Sequence, residues 1–190
     1  RIENEEISQA FYGELEGNPD YYKIRAQKNF TLYLELDSPA SEGSDKDYSL
    51  EVYSGAEWLH PEPILTLTGT NYSWQPWFES FARDNYFRGP YLRRNMNAGT
   101  YEIKVYSPDN AGKYVLVVGE QEKFTFLEVL RAIFTMPSIK KDFFAKPYIS
   151  AYTNWLGIVA LALLLLFAAI AALIIWVVVN ITRTMRAEEK

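Results

Sequence analysis

The chain has no cysteine and a single histidine, His60. Disulfides, thiolate zinc sites, cysteine nucleophiles and iron–sulfur clusters are excluded, and several histidines of this chain cannot share a metal. A Ser-His-Asp hydrolase would have to use His60, which sits between Trp58 and Pro61-Glu62-Pro63 with no G-x-S-x-G elbow in the chain. His60 therefore reads as a loop residue without a catalytic role. A glycine-rich phosphate loop is missing too, because Gly112 and Gly119 punctuate strands. Charge is absent from residues 147–182, so no proton relay, ion path or haem ligand is expected there. The expectation is a protein without a cofactor and without enzymatic activity.

What the chain has in abundance is one apolar run. From Trp155 to Val179 every residue is apolar except Gly157. As a helix this run is about 37 Å long, enough to cross a hydrocarbon core of ~30 Å with some tilt. Tyr148, Tyr152 and Trp155 at one end and Trp176 at the other suit the two interfaces, and Arg183 stops the span. Residues 148–182 are expected to form the transmembrane helix and its interfacial flanks, and residues 183–190 a short cytoplasmic tail. Three lysines precede the span (Lys140, Lys141, Lys146) and three basic residues follow it, so the positive-inside count is tied. An extracytoplasmic N-terminal domain is expected from the shortness of the tail. A start at Arg1 instead of Met also suits removal of a signal peptide, although truncation would look the same.

Residues 1–122 carry 11 basic and 20 acidic side chains, a net of −9. A domain of that sign repels phosphate backbones, so no nucleic-acid partner is expected. Its hydrophobic pattern has period 2. Phe30, Leu32, Leu34 and Leu36 share one face; Tyr48, Leu50 and Val52, then Tyr101, Ile103 and Val105, then Tyr114, Leu116 and Val118 repeat the alternation. Turn residues such as Gly17-Asn18-Pro19-Asp20 and Ser107-Pro108-Asp109-Asn110 separate the runs. Seven or eight such strands predict a mainly β fold, an antiparallel β-sandwich, followed by a connector and one transmembrane α-helix.

The order of motifs resembles the bacterial pre-peptidase C-terminal domain over roughly residues 7–119. A G-x-L turn at Gly13–Leu15 and an Asp-aromatic-Tyr strand at Asp20–Tyr22 lead into the long apolar strand Phe30–Leu36. The pair Gly99–Tyr101 and Gly112–Tyr114 closes the pattern. The resemblance implies a jelly-roll-like sandwich in an exported setting, with roles in adhesion, targeting or ligand binding and no catalysis of its own. Two departures stand out. The chain carries a membrane anchor and no peptidase domain, and the stretch Gly69–Asn97 interrupts the strand pattern.

That stretch concentrates Trp74, Trp77, Phe78, Phe81, Tyr86 and Phe87 with Arg83 and Arg88. Aromatic and arginine side chains carry much of the energy in protein interfaces, and the same types stack on sugars. Three readings stand: a docking surface for another protein, a cover over the sandwich's own core, and a glycan site. The acidic turn with Asp45 and Asp47, together with Asp37, offers hard oxygens to Ca²⁺, which some relatives of the resembled family bind, but it matches no EF-hand loop and reads as a solvated hairpin turn, so no metal is expected.

Residues 123–147 form an amphipathic connector. Phe126, Leu127, Leu130, Ile133 and Phe134 recur at helical spacing until Pro137, which is expected to end the pattern. The connector either lies along the headgroups with its lysines toward lipid phosphate, or packs its apolar face on the sandwich or a neighbouring subunit. Two functions follow. The first is a non-catalytic accessory or structural subunit of a larger membrane complex, with integral membrane proteins and the lipid bilayer as partners. The second is a cell-surface module that recognises glycans or an extracellular protein.

Overall fold

The computed structural model describes residues 1–41, 44–56, 61–80, 82–123 and 125–188. Among the described residues there are nine strands: β1 (Gln9–Glu16), β2 (Asp20–Ala26), β3 (Phe30–Pro39), β4 (Ser49–Ser54), β5 (Leu65–Leu67), β6 (Gln75–Glu79), β7 (Asp84–Met96), β8 (Gly99–Tyr106) and β9 (Ala111–Val118). They pair antiparallel in two sheets, in the orders β1-β9-β3-β7-β6 and β2-β8-β4-β5. Early strands switch sheet at almost every step, so the chain closes an antiparallel sandwich around one core.

The core is the set that the alternation picks out. Leu32, Leu34, Leu36, Leu50, Val52, Ile103, Val105, Leu116 and Val118 are closed off from solvent. Each such aliphatic side chain contributes about 1.5–3 kcal/mol by leaving water. The short motifs of the sequence meet in one place. The Tyr114 ring lies against Gly13, where an added Cβ would stand 2.4 Å from the ring. Its hydroxyl donates to Asp20 (2.6 Å) and lies 2.7 Å from the Tyr22 hydroxyl. These residues tie β1, β2 and β9 across the two sheets.

The stretch 69–97 is no insertion into this fold. It supplies β6 and β7, and β7 pairs with β3 along most of its length. The alternation is hidden there because Pro76, Gly89 and Pro90 carry no strand signal. Trp74 fills a slot in the core edge-on to Tyr48 (6.4 Å) and donates its indole N–H to Gly69 O (3.1 Å). Gly89 makes room for it: a Cβ there would lie 2.5 Å from the Trp74 ring and 2.4 Å from Leu36 O.

After the sandwich come α1 (Phe126–Ser138), a π-helical turn (Ile139–Phe143), a 3-10 turn (Tyr148–Tyr152) and α2 (Trp155–Glu188). A reciprocal cap starts α1: Glu128 N–H donates to Thr125 Oγ1 (3.3 Å), and Thr125 N–H donates to the Glu128 carboxylate (2.7 Å). Contrary to the sequence expectation, Pro137 lies inside α1 instead of ending it. Proline cannot donate to the carbonyl four residues back. The Tyr152 hydroxyl serves that carbonyl instead, 3.0 Å from Ile133 O. Tyr152→Phe should therefore cost about 0.5–1.5 kcal/mol and speed amide exchange through residues 133–141. Unchanged exchange in that segment would contradict the assignment. Within α2, Gly157–Arg183 is the one helix among the described residues long and apolar enough to cross a membrane, with a mean hydropathy of 3.3 and no part buried.

Candidate functional site

The most unusual chemistry lies where the connector meets the sandwich. The turn between β6 and β7 holds Ala82, Arg83 and Asp84, with Arg83 in the left-handed region at φ +59. That conformation is costly for a residue with a Cβ and persists only where the surroundings fix it. Here they do. Lys140 from the π-helical turn is 1% exposed, donates to Ala82 O, and lies 2.6 Å from Asp84 Oδ2. Lys146 reaches the other oxygen, Asp84 Oδ1, at 2.8 Å. Asn154 Nδ2 donates to Ala82 O (3.3 Å), and an Arg83 guanidinium N–H donates to Thr153 O (3.3 Å). The β6–β7 turn is thus bound on one side to the connector and on the other to the residues just before α2.

Aromatic packing surrounds this ion cluster. Phe143 and Phe144 lie edge-on to Tyr12 at 5.0 and 6.3 Å, and Phe144 also meets Tyr86 at 5.4 Å. Tyr12, Tyr86, Val115 and Val117 belong to the outer face of the five-stranded sheet, so the connector covers that part of the face. The Tyr12 and Tyr86 hydroxyls are 3.3 Å apart, and burial raises the pKa of both. A charged pair in such surroundings needs every hydrogen bond satisfied. Asp84 receives two ammonium donors, and Lys140 has both a carboxylate and a carbonyl.

Lys140 is therefore buried on the sandwich and not free to meet lipid phosphate, one of the readings open at the sequence level, while Lys146 pairs with Asp84 and stays part-exposed. Asp84 draws them onto the sandwich. Lys141 is exposed and lies over the Tyr148 ring at 4.7 Å. Of the residues grouped in the aromatic stretch, Trp74 packs with the core and Tyr86 with the connector. Trp77 is half-buried beside Tyr86 (5.8 Å) and carries the Arg88 guanidinium on its face (4.4 Å). Phe78 is exposed, and Phe87 is half-buried under Lys46. Phe81 and His60 lie outside the described residues. Tyr148, Trp155, Trp176 and Arg183 are exposed at the ends of the span. Asn154, just before α2, is buried against Ala82.

A second polar cluster lies on the outer face of β3. Glu35 accepts from Arg88 and from the Tyr33 hydroxyl. Asp37 is also buried, and its Oδ1 has no hydrogen-bond partner among the described residues. Burial, reinforced by the neighbouring Glu35 carboxylate, pushes the Asp37 pKa up to about 8. The folded protein thus holds a proton on Asp37 that the unfolded chain releases near pH 4. The resulting stability is fully present below that pH and is lost as pH rises toward 8. Asp37→Asn imitates the protonated acid. It should raise the melting temperature at pH 8, by about 1–3 kcal/mol of stability, and change little at pH 4. Equal effects at both pH values would contradict it.

The calcium reading grouped Asp37, Asp45 and Asp47, whose charged neighbours differ. Asp37 faces Glu35 and Arg88, whereas Asp47 feels Asp45 and Asp109. Among the described residues no group of three or more His, Asp or Glu side chains could hold a metal.

No protein-family model and no curated protein matches the chain. Among solved structures, the chain is similar to the pre-peptidase C-terminal domain of a collagenase from Bacillus anthracis, the family that the sequence motifs resemble. The identity is 14% and the TM-score 0.37, over 62% of this chain and 96% of that one.

Proposed function

We propose that this chain is a non-catalytic, single-pass membrane protein that serves as an accessory or structural subunit of a larger membrane complex. Its β-sandwich would be held in a fixed attitude over the bilayer for contact with integral membrane partners. The observation that carries this reading is the Asp84 clamp with its two lysines. Burying an ion pair is expensive, and a module meant to sweep the surface on a tether gains nothing from it. A subunit whose face must meet a partner at a set height does.

The contact surface on this reading is the outer edge of β7. β6 pairs with β7 only from Asp84 to Arg88, so from Pro90 onward β7 is bonded on one side, by β3. Tyr91 is 62% exposed there, with Arg93 and Arg94 nearby. An open strand edge with aromatic and arginine side chains suits a protein partner. An extracytoplasmic sandwich is part of the proposal, since an acidic domain held against the bilayer suits the less anionic leaflet.

Mild-detergent purification of the tagged chain followed by mass spectrometry should recover integral membrane proteins in fixed ratio. Tyr91→Ala with Arg94→Ala should lose them without lowering the melting temperature. A chain that purifies alone and binds glycans would overturn the reading in favour of the independent surface module.

A further inference from the structure

Between the β6–β7 turn and the first turn of α2 lies an open cavity of about 480 Å³. Its lining has two chemistries. Ser80 and Arg83 of the sandwich and Thr153 before α2 supply polar groups, while Phe78 of β6 and Trp155 and Ile158 of α2 supply apolar surface. Arg83 is exposed, and its bond to Thr153 O occupies one of its five N–H donors. Among the described residues no carboxylate pairs with it; the adjacent Asp84 is held by Lys140 and Lys146. The same clamp fixes the left-handed backbone that presents Arg83 over the cavity.

We propose that this cavity is a phospholipid site, with Arg83 and the Ser80 hydroxyl taking the phosphodiester and Phe78, Trp155 and Ile158 receiving the start of an acyl chain. The position in the fold selects this occupant. Trp155 opens the apolar run and Ile158 lies one turn into it, so the cavity straddles headgroup and hydrocarbon depth. A soluble anion would match the polar half only, and a wholly apolar ligand would leave Arg83 against nothing. An arginine fork suits a phosphate in geometry and charge. A headgroup of net negative charge should bind more tightly than a zwitterionic one, because among the described residues no acidic side chain lines the cavity to hold a choline ammonium.

The test uses the full chain in detergent, delipidated and examined by native mass spectrometry. Phosphatidylglycerol should bind as one tightly held molecule, phosphatidylcholine more weakly, and glycerol phosphate not measurably at the same concentration. Arg83→Gln should weaken phosphatidylglycerol about tenfold, the loss expected for a charge-assisted hydrogen bond. Arg83→Lys keeps the charge without the fork and should bind between the parent and Arg83→Gln. Arg93→Gln, which removes a charge paired with Glu120 on the sandwich surface, should change nothing. Ile158→Trp fills the apolar half with Arg83 intact and should also block the lipid, which covers the case in which Arg83→Gln disturbs the turn. Equal lipid binding by the parent, Arg83→Gln and Ile158→Trp chains would overturn the proposal. So would glycerol phosphate binding as tightly as the lipid, or an equal loss in Arg93→Gln.

Discussion

Asp84→Asn should destabilise the junction by about 3–5 kcal/mol, because it leaves Lys140 charged, 1% exposed and without a counter-ion. Removing one partner of a buried pair is far worse than removing both. A double replacement, Asp84→Leu with Lys140→Met, keeps similar volume without charge and should recover most of the loss. Lys146 is 36% exposed along its side chain and can turn to water when its partner goes. The single variant should melt at a lower temperature and show faster amide exchange through residues 125–154, where the connector lets go of the sheet. The core strands β3 and β9 should keep slow exchange. A single variant as stable as the parent would mean that the ion cluster does not hold the junction.

Trp74→Ala should cost about 3–5 kcal/mol, the range for deleting a large aromatic from a packed site. The ring meets Tyr48 edge-on, bonds Gly69 O, and sits in the space that Gly89 leaves. The loss should appear as a lower melting temperature of the sandwich itself. Phe78→Ala, at an exposed position of the neighbouring strand, should change stability by less than about 0.5 kcal/mol. A Trp74→Ala chain with parental stability would return the ring to the surface and to partner binding.

The sandwich and the span were legible because both follow a single period. Leu32, Leu34 and Leu36 alternate without interruption and are all fully buried; the run from Trp155 to Val179 is apolar throughout except at Gly157. β6 and β7 were not legible. Their core-facing positions include Gly89 and Pro90, and Arg93, Arg94 and Asn95 crowd the end of β7 before Met96, so no continuous apolar stripe marks the strand. The clamp was invisible for another reason. Asp84 lies 56 residues from Lys140 and 62 from Lys146 in sequence, and lysines beside aromatics before a span carry the ordinary signature of headgroup contact. Pro137 misled because a helix normally stops there, and the hydroxyl that lets it continue comes from Tyr152, beyond the π-helical turn.

The central claim is that the sandwich is fixed to its membrane span and does not swing on a tether. The absence of cysteine makes a direct measurement clean, since two introduced cysteines are the only labelling sites. Spin labels at Lys23→Cys on β2 and Leu161→Cys on α2, in lipid nanodiscs, report the distance between domain and span by pulsed dipolar spectroscopy. One narrow distance distribution is expected in the parent chain and a broad one in Asp84→Asn. A broad distribution in the parent chain would contradict the claim.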